Sequence, residues 1–250
     1  ASYVLPAAVT GYDSSGGMGV NEKRTLFSVD GPGTLLDLSA LQSIQATFGG
    51  LGGLLQLVTA DNGAVIDLSG LSSIVAGGSG ANGGGPFELR TGNAADILLD
   101  SLVELDGENA GIRITDDAGT IAMPLLATAD RVTYAIDVAG PLTFGNLLSL
   151  TSSTLTVASG STVGAPVLAD LSNTTLRIDG SGQFDAPALT TVDFARFHVT
   201  GGAAYTLPAT VTSYDSSGGM STNEKRTIFS ADGAGSLLDL SALETITATF

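Results

Sequence analysis

A short alternating signature recurs along the chain: Leu55-Gln-Leu57, Phe87-Glu-Leu89, Ile112-Arg-Ile114, Tyr134-Ala-Ile136, Leu155-Thr-Val157, Leu176-Arg-Ile178 and Phe197-His-Val199. A period of two predicts a strand with one face turned inward. Turn-forming stretches follow the signature, among them "DGPG", "ADNG", "TDDAG" and "IDGSG". Their Asp, Asn and Gly tolerate the positive φ of tight turns. A second apolar segment closes each period, as in "LDLSALQSI", "IDLSGLSSI" and "PALTTVDFA". From about residue 134 the spacing settles at 21: Leu155, Leu176 and Phe197 keep it, as do Val163, Phe184 and Tyr205, and Pro166, Pro187 and Pro208.

Counted from Phe27, the middle residues of the signature fall at 56, 88, 113, 135, 156, 177 and 198 and return at Phe229, 202 residues on. Eight coils this short have no room for helices. They predict an all-β fold, a right-handed parallel β-helix (β-solenoid) in which each coil buries its inward residues against its neighbours. With strands ~4.8 Å apart, eight coils rise roughly 38 Å. A leucine-rich repeat horseshoe is the rival, because "LxxLxxI" recurs. It is disfavoured by the lack of an Asn at a fixed repeat position and by the short period. Longer coils place their extra residues between the second segment and the signature strand. That gap is five residues from Leu150 to Leu155, 11 from Ile44 to Leu55, 13 from Ile74 to Phe87 and 15 from Gly11 to Leu26. Insertions at one place predict loops projecting from one corner, a common interaction face.

A longer repeat encloses these coils. Residues 1–48 align without gaps on 203–250, with 35 of 48 positions identical. The chain therefore reads as one full unit, 1–202, and the start of the next, 203–250, continuous and without a linker. It begins without Met and stops at Phe250 within the pattern, as a segment of something longer would. The longest flap falls in the duplicated part, "YDSSGGMGVNEKRT" and "YDSSGGMSTNEKRT", and holds four of the nine basic residues. Asn21, Glu22, Lys23, Arg24, Asn223, Glu224, Lys225 and Arg226 are the candidate contact-loop residues. The plain reading is a solvated loop with a Glu-Lys pair; the sharper one is a basic flap that docks on the acidic flank of a neighbouring copy.

The rest of the composition narrows the chemistry. A net charge of −16 repels nucleic acid and anionic membranes and attracts cations. No run approaches the ~18 apolar residues of a membrane span, and no signal peptide is visible. No cysteine is present, which removes disulfides, thiol nucleophiles and thiolate metal sites. The single histidine, His198, lies between inward Phe197 and Val199 and should point outward in line with Arg177, Thr156 and Ala135. Gly78-Ser-Gly80-Ala-Asn-Gly83 matches GxGxxG but precedes a strand rather than the helix a dinucleotide site needs. Asp116, Asp117 and the turn residues Asp30, Asp61, Asp179 and Asp232 offer oxygens suited to calcium, without the spacing of a known calcium loop. Asn173-Thr-Thr175 fits a glycosylation sequon. No catalytic, cofactor or metal residue is assigned.

The near-identical 202-residue unit, coils such as "STLTVASGSTVGAPVLADLS" and "TTLRIDGSGQFDAPALTTVD", the acidic balance and the missing Cys resemble the tandem-repeat β-solenoid surface proteins of bacteria, the stalks of adhesins and extracellular fibres. The resemblance is architectural and brings no catalytic residues. It implies an extracellular structural or adhesive role, with other copies of the chain as partners, end to end or side by side, and surface glycans as a further partner class. The alternative is a carbohydrate-active β-helix, a polysaccharide lyase or hydrolase, or a glycan-binding module. Duplication favours the fibre, which gains length from near-identical units where an enzyme gains little.

Overall fold

The computed structural model describes residues 1–14, 22–47, 55–77, 86–108, 110–137, 141–218 and 226–248. Among them every regular element is a strand and every strand pairing is parallel. The chain visits three kinds of strand in rotation. A long strand such as Leu55–Asp61 is followed by a first short strand, Val65–Asp67, and a second short strand, Ser73–Gly77. The next circuit repeats the order with Phe87–Gly92, Asp96–Leu98 and Glu104–Asp106. Strands pair with their own kind in the neighbouring circuits, which is consistent with a β-solenoid.

The long strands form one nine-stranded sheet from Lys23–Asp30 to Phe229–Asp232. The first short strands form sheets of five, three and two strands along the chain. The second short strands form sheets of six and two, with Asp170 bridging from Ser149 towards Thr191 between them. The sequence predicted two strand-like runs per coil. The second run is two strands, because a turn bends it. Asp37 Oδ1 accepts from the Ser39 amide at 3.0 Å and from its hydroxyl at 2.7 Å, and Asp67 repeats the amide bond with Ser69. These side chains supply the turn's hydrogen bonds locally. They also hold the exposed Asp37 carboxyl below its usual range.

Inward residues from all three strand types form one buried cluster. They stack in columns: Leu38, Leu68 and Leu99 at one turn, Leu41, Leu71 and Leu102 beside them, and Ile44, Ile74 and Leu105 on the second short strands. Each fully buried side chain of this size contributes about 1.5–3 kcal/mol of transfer free energy, set against the entropy of ordering the chain. A group of buried rings sits near the second copy of the repeat. Phe197 stacks between Tyr205 and Phe229, at 5.8 and 6.1 Å between centroids.

The strand register corrects part of the sequence reading. Ser28 pairs with Thr59, then the column runs through Arg90, Thr115, Ala135, Thr156, Arg177 and His198 to Ser230. The predicted positions 135, 156, 177 and 198 lie on this column; 27, 56, 88, 113 and 229 lie one to three residues off it. The face at Leu55-Gln-Leu57 is also inverted: Gln56 is buried, 0% exposed, and the flanking leucines are only half-buried. The cause is register: Gln56, Val58 and Ala60 stand opposite the buried Phe87, Leu89 and Thr91. The neighbouring strand Lys23–Asp30 changes phase by a bulge, since Thr25 pairs with Leu57 and Phe27 with Val58 and Leu26 has no opposite number.

Two expectations follow for stability. Leu71→Ala, at a fully buried site, should cost about 2–5 kcal/mol in denaturant unfolding, while Leu148→Ala, at an exposed one, should change it by less than about 0.5 kcal/mol. The Tyr205 hydroxyl is buried without a hydrogen-bond partner, and burial with nearby Asp185 pushes its phenol up. Tyr205→Phe should therefore hold stability or raise it by up to about 1–3 kcal/mol; a clear loss would mean that the hydroxyl has a role in the fold.

Candidate functional site

The corner at which the chain passes from a second short strand to the next long strand carries the variation in length. Thr151 leads to Thr154, Asp106 to Ile112, Thr47 to Leu55, Gly77 to Phe87, Asp13 to Lys23 and Asp215 to Phe229. The other two corners barely change: Asp30 to Leu35 and Asp61 to Val65 at one, Asp37 to Ser43 and Asp67 to Ser73 at the other. Where the variable corner is shortest, buried hydroxyls hold it. The Ser153 amide donates to Thr174 Oγ1 at 3.2 Å, Thr174 Oγ1 donates to the Leu150 carbonyl at 2.8 Å, and Ser153 Oγ accepts from the Val132 amide at 3.0 Å. A tight corner leaves main-chain groups without strand partners, and these side chains replace them. Sequence reasoning passed over both residues; their equivalent places in successive 21-residue periods were the available signal.

The candidate contact residues divide. Asn21, Asn223, Glu224 and Lys225 lie outside the described residues. Lys23 and Arg24 do not belong to a flap. They open the long strand Lys23–Asp30 and pair with Leu55 and Gln56. Lys23 is exposed and Arg24 half-buried. Glu22 Oε1 accepts from Arg24 Nη2 at 2.7 Å and Nε at 3.1 Å. The partner of the glutamate is thus Arg24 rather than the lysine of the plain reading, and part of the guanidinium charge is met locally. Arg226 is half-buried and precedes the strand Phe229–Asp232.

The other candidates resolve into structural roles. His198 stands on the predicted column with Arg177, Thr156 and Ala135. Its Nδ1 lies 2.7 Å from Ser230 Oγ. Burial, then the charges of Arg177 and Arg196, push its pKa down. A serine–histidine contact is two parts of a nucleophilic site, but among the described residues no carboxylate bonds to the imidazole, and the neighbouring charges are cationic. Asn173, at the sequon, sits in a turn with φ 56° and donates from Nδ2 to Ser152 Oγ at 3.4 Å. Gly78 to Gly83 lie outside the described residues.

The aspartates serve the stack rather than a common ligand. Asp30 accepts from Asn62 Nδ2 at 2.7 Å, Asp61 from Asn93 Nδ2 at 2.9 Å and Asp179 from Thr200 Oγ1 at 2.9 Å. Each bond ties one circuit to the next. Asp116 and Asp117 point to opposite faces: Asp117 is exposed, and Asp116 is 3% exposed with its carboxylate accepting from Thr91 Oγ1 at 2.8 Å and the Ile121 amide at 3.3 Å. Among the described residues no three His, Asp or Glu side chains are grouped so as to hold a metal ion. An apolar cavity lined by Leu105, Tyr134, Phe144 and Phe184 has a volume of about 20 Å3, room for about one water.

No family model, no curated protein and no solved structure matches the chain.

Asp116 yields a pH prediction. Burial raises its pKa above 3.8, and its hydrogen bonds oppose that only in part. A group that holds its proton more tightly when folded stabilises the fold fully below its unfolded pKa and loses that contribution as pH rises through the folded value. Asp116→Asn retains the shape, with Oδ1 accepting from the Ile121 amide and Nδ2 donating to Thr91. The variant should gain melting temperature relative to wild type on going from pH 4 to pH 7. An unchanged difference between the two pH values would show that the carboxylate is not penalised.

Proposed function

We propose that the chain is a structural and adhesive repeat module of a long extracellular fibre or cell-surface adhesin, a right-handed β-solenoid of eight coils per 202 residues that performs no catalysis. One observation carries the reading. Ser28 and Ser230 are equivalent positions of the 202-residue repeat, and eight steps of parallel pairing carry the first to the second within one continuous sheet. A repeat that spans a whole number of circuits returns to its own phase, so further units add along one axis without a change of direction. A rod assembled in this way grows in length by duplication alone.

Other copies of the chain are the partners that this design serves, with surface glycans reached by the variable corner. Net charge keeps nucleic acid off and suits a soluble exterior. The loops at the variable corner recur once per unit, every ~38 Å. Weak contacts repeated at that interval accumulate through multivalency. The ion pair between Glu22 and Arg24 limits what each basic residue adds, since exposed pairs contribute about 0–1 kcal/mol.

Electron microscopy of native material tests the fibre directly: rods several units long support it, and isolated globular particles overturn it. The lateral contact has its own test. Changing Lys23, Arg24, Lys225 and Arg226 to Glu should abolish side-by-side association in light scattering at low salt, and 1 M salt, with a Debye length of ~3 Å, should abolish it in wild type. Equal scattering by both proteins across the salt series would overturn the lateral contact and leave these basic residues as ordinary surface charges.

A further inference from the structure

The corner between the first and the second short strands does not border the long sheet, and it carries an apolar stripe. Apart from residues of the first and last circuits, the exposed large hydrophobic side chains among the described residues are Val103, Leu125, Leu148 and Val167. All four lie at this corner, in four successive circuits. A main-chain ladder stacks them. The Ala127 amide donates to the Val103 carbonyl at 2.9 Å, the Leu148 amide to Ala127 at 2.8 Å and the Ala169 amide to Leu148 at 2.9 Å. Val103 and Leu148 stand on that ladder, and Leu125 and Val167 stand two residues before it, so the large side chains alternate between two columns. No charged residue occurs in 123–128 or 144–149, which form the corner in the middle of the stripe. Single exposed apolar residues are ordinary on any surface. Four of them stacked over roughly 14 Å, on a chain of net charge −16, mark a contact surface.

We propose that this stripe docks side by side on the outer face of the long sheet of a second copy, with the circuits of the two copies level. The outward side chains of that face at the height of the stripe are Thr133 and Ala135, then Thr154 and Thr156. On the same two columns Arg90 and Arg113 stand to one side, and Arg177, Arg196 and His198 to the other. Asp117 and Asp137 form a third column at the edge of the face, which leaves the first two for the contact. Among the described residues Arg90, Arg177 and Arg196 make no ion pair, although the chain holds 25 Asp and Glu. The corner supplies the missing charges. The exposed Asp100 and Glu104 belong to the circuit of Arg90, and the exposed Asp185 belongs to the circuit of Arg177. Arg90 and Arg177 are four circuits apart, roughly 19 Å, and so are Asp100 and Asp185. With Leu125, Leu148 and Val167 over the threonines of a second copy, the carboxylates at both ends of the stripe meet the unpaired arginines. Each copy offers both halves on different sides, so the contact is heterologous and can repeat from copy to copy. The proposal rests on the reading of other copies as the partners and places their contact away from the variable corner.

Sedimentation of the full chain over a concentration series reads the contact. Wild type should associate. Leu125→Lys together with Leu148→Lys should weaken association by about tenfold or more, with an unchanged urea midpoint, since both side chains are exposed. Charge reversal keeps the test open should the lysine variant unfold. Arg90→Glu with Arg177→Glu, and separately Asp100→Arg with Asp185→Arg, place like charges on the two halves, and each variant should associate about tenfold more weakly than wild type. An equal mixture of the two variants restores opposite charges at every contact and should associate as wild type does. Wild type that stays monomeric, reversed variants that associate as wild type does, or a mixture no stronger than its components would each overturn the contact. None of these substitutions touches a strand pairing along the axis, so failure here leaves the fibre to microscopy, and rods seen there do not rescue the contact.

Discussion

Every apolar column in this molecule depends on the in-register parallel pairing of like strands, one circuit apart. A single circuit is too thin to enclose anything. Its inward residues are buried only if the circuits on either side bring inward residues to the same height and the same face. Register is therefore a constraint on side chains as much as on backbone bonds, because a slip of one residue would turn each inward position outward. The turns defend it. Asn62 reaching Asp30, and Asn93 reaching Asp61 and Asn62, tie the ends of the long strands together at a fixed offset. The buried hydroxyls of Ser153 and Thr174 do the same at the tightest corner.

The same constraint separates what was legible in the sequence from what was not. Between Tyr134 and Val199 the circuits have one length, so equivalent residues recur at a constant spacing and the inward columns can be read directly. In the first circuits the corner between a second short strand and the next long strand varies, and no spacing survives to mark the phase. Leu55 and Leu57 then look like the inward pair, since they are the most apolar alternating residues nearby. The residues the stack turns inward are Gln56, Val58 and Ala60. The pairing of Gln56 with Phe87 and of Val58 with Leu89 decides this, and it depends on which residues of two distant segments face each other. The split of the second segment into two strands was hidden for a related reason. A serine following an aspartate looks like any polar pair until the Asp37 carboxylate is seen closing the turn on Ser39.

Charge follows the same logic. A carboxylate at the end of a strand faces a carboxylate one circuit away, as Asp30 faces Asp61. In a compact fold such pairs would repel without relief. Here the asparagine amide of the following turn is placed to donate to each, and solvent screens the remainder. The acidic composition that suggested a calcium edge is thus compatible with a ladder of turns that needs acceptors at regular height. Asp116 is the exception: it lies inside, and Thr91 and the Ile121 amide satisfy it there. An inward aspartate among apolar columns, the one such aspartate among the described residues, is a local departure from the repeat, which no reading of periodicity would anticipate.

The duplicated segment shows how far sequence alone determines local structure in a stacked fold. Lys23, Arg24 and Thr25 are strand residues, while Arg226, at the place of Arg24 in a copy with the same neighbours in sequence, is not. Intrinsic propensity is the same in both places, so the difference comes from what lies above: Leu55, Gln56 and Leu57 in one case and no circuit in the other. Strand length at the margin of such a sheet is a property of the pair rather than of the segment. The aromatic contacts beneath are preserved, with Tyr12 against Phe27 at 5.4 Å and Tyr214 against Phe229 at 5.0 Å, both edge-on. Those contacts lie within one copy and the circuit beneath it does not alter them. Contacts along the axis, in contrast, are made only when the next circuit arrives.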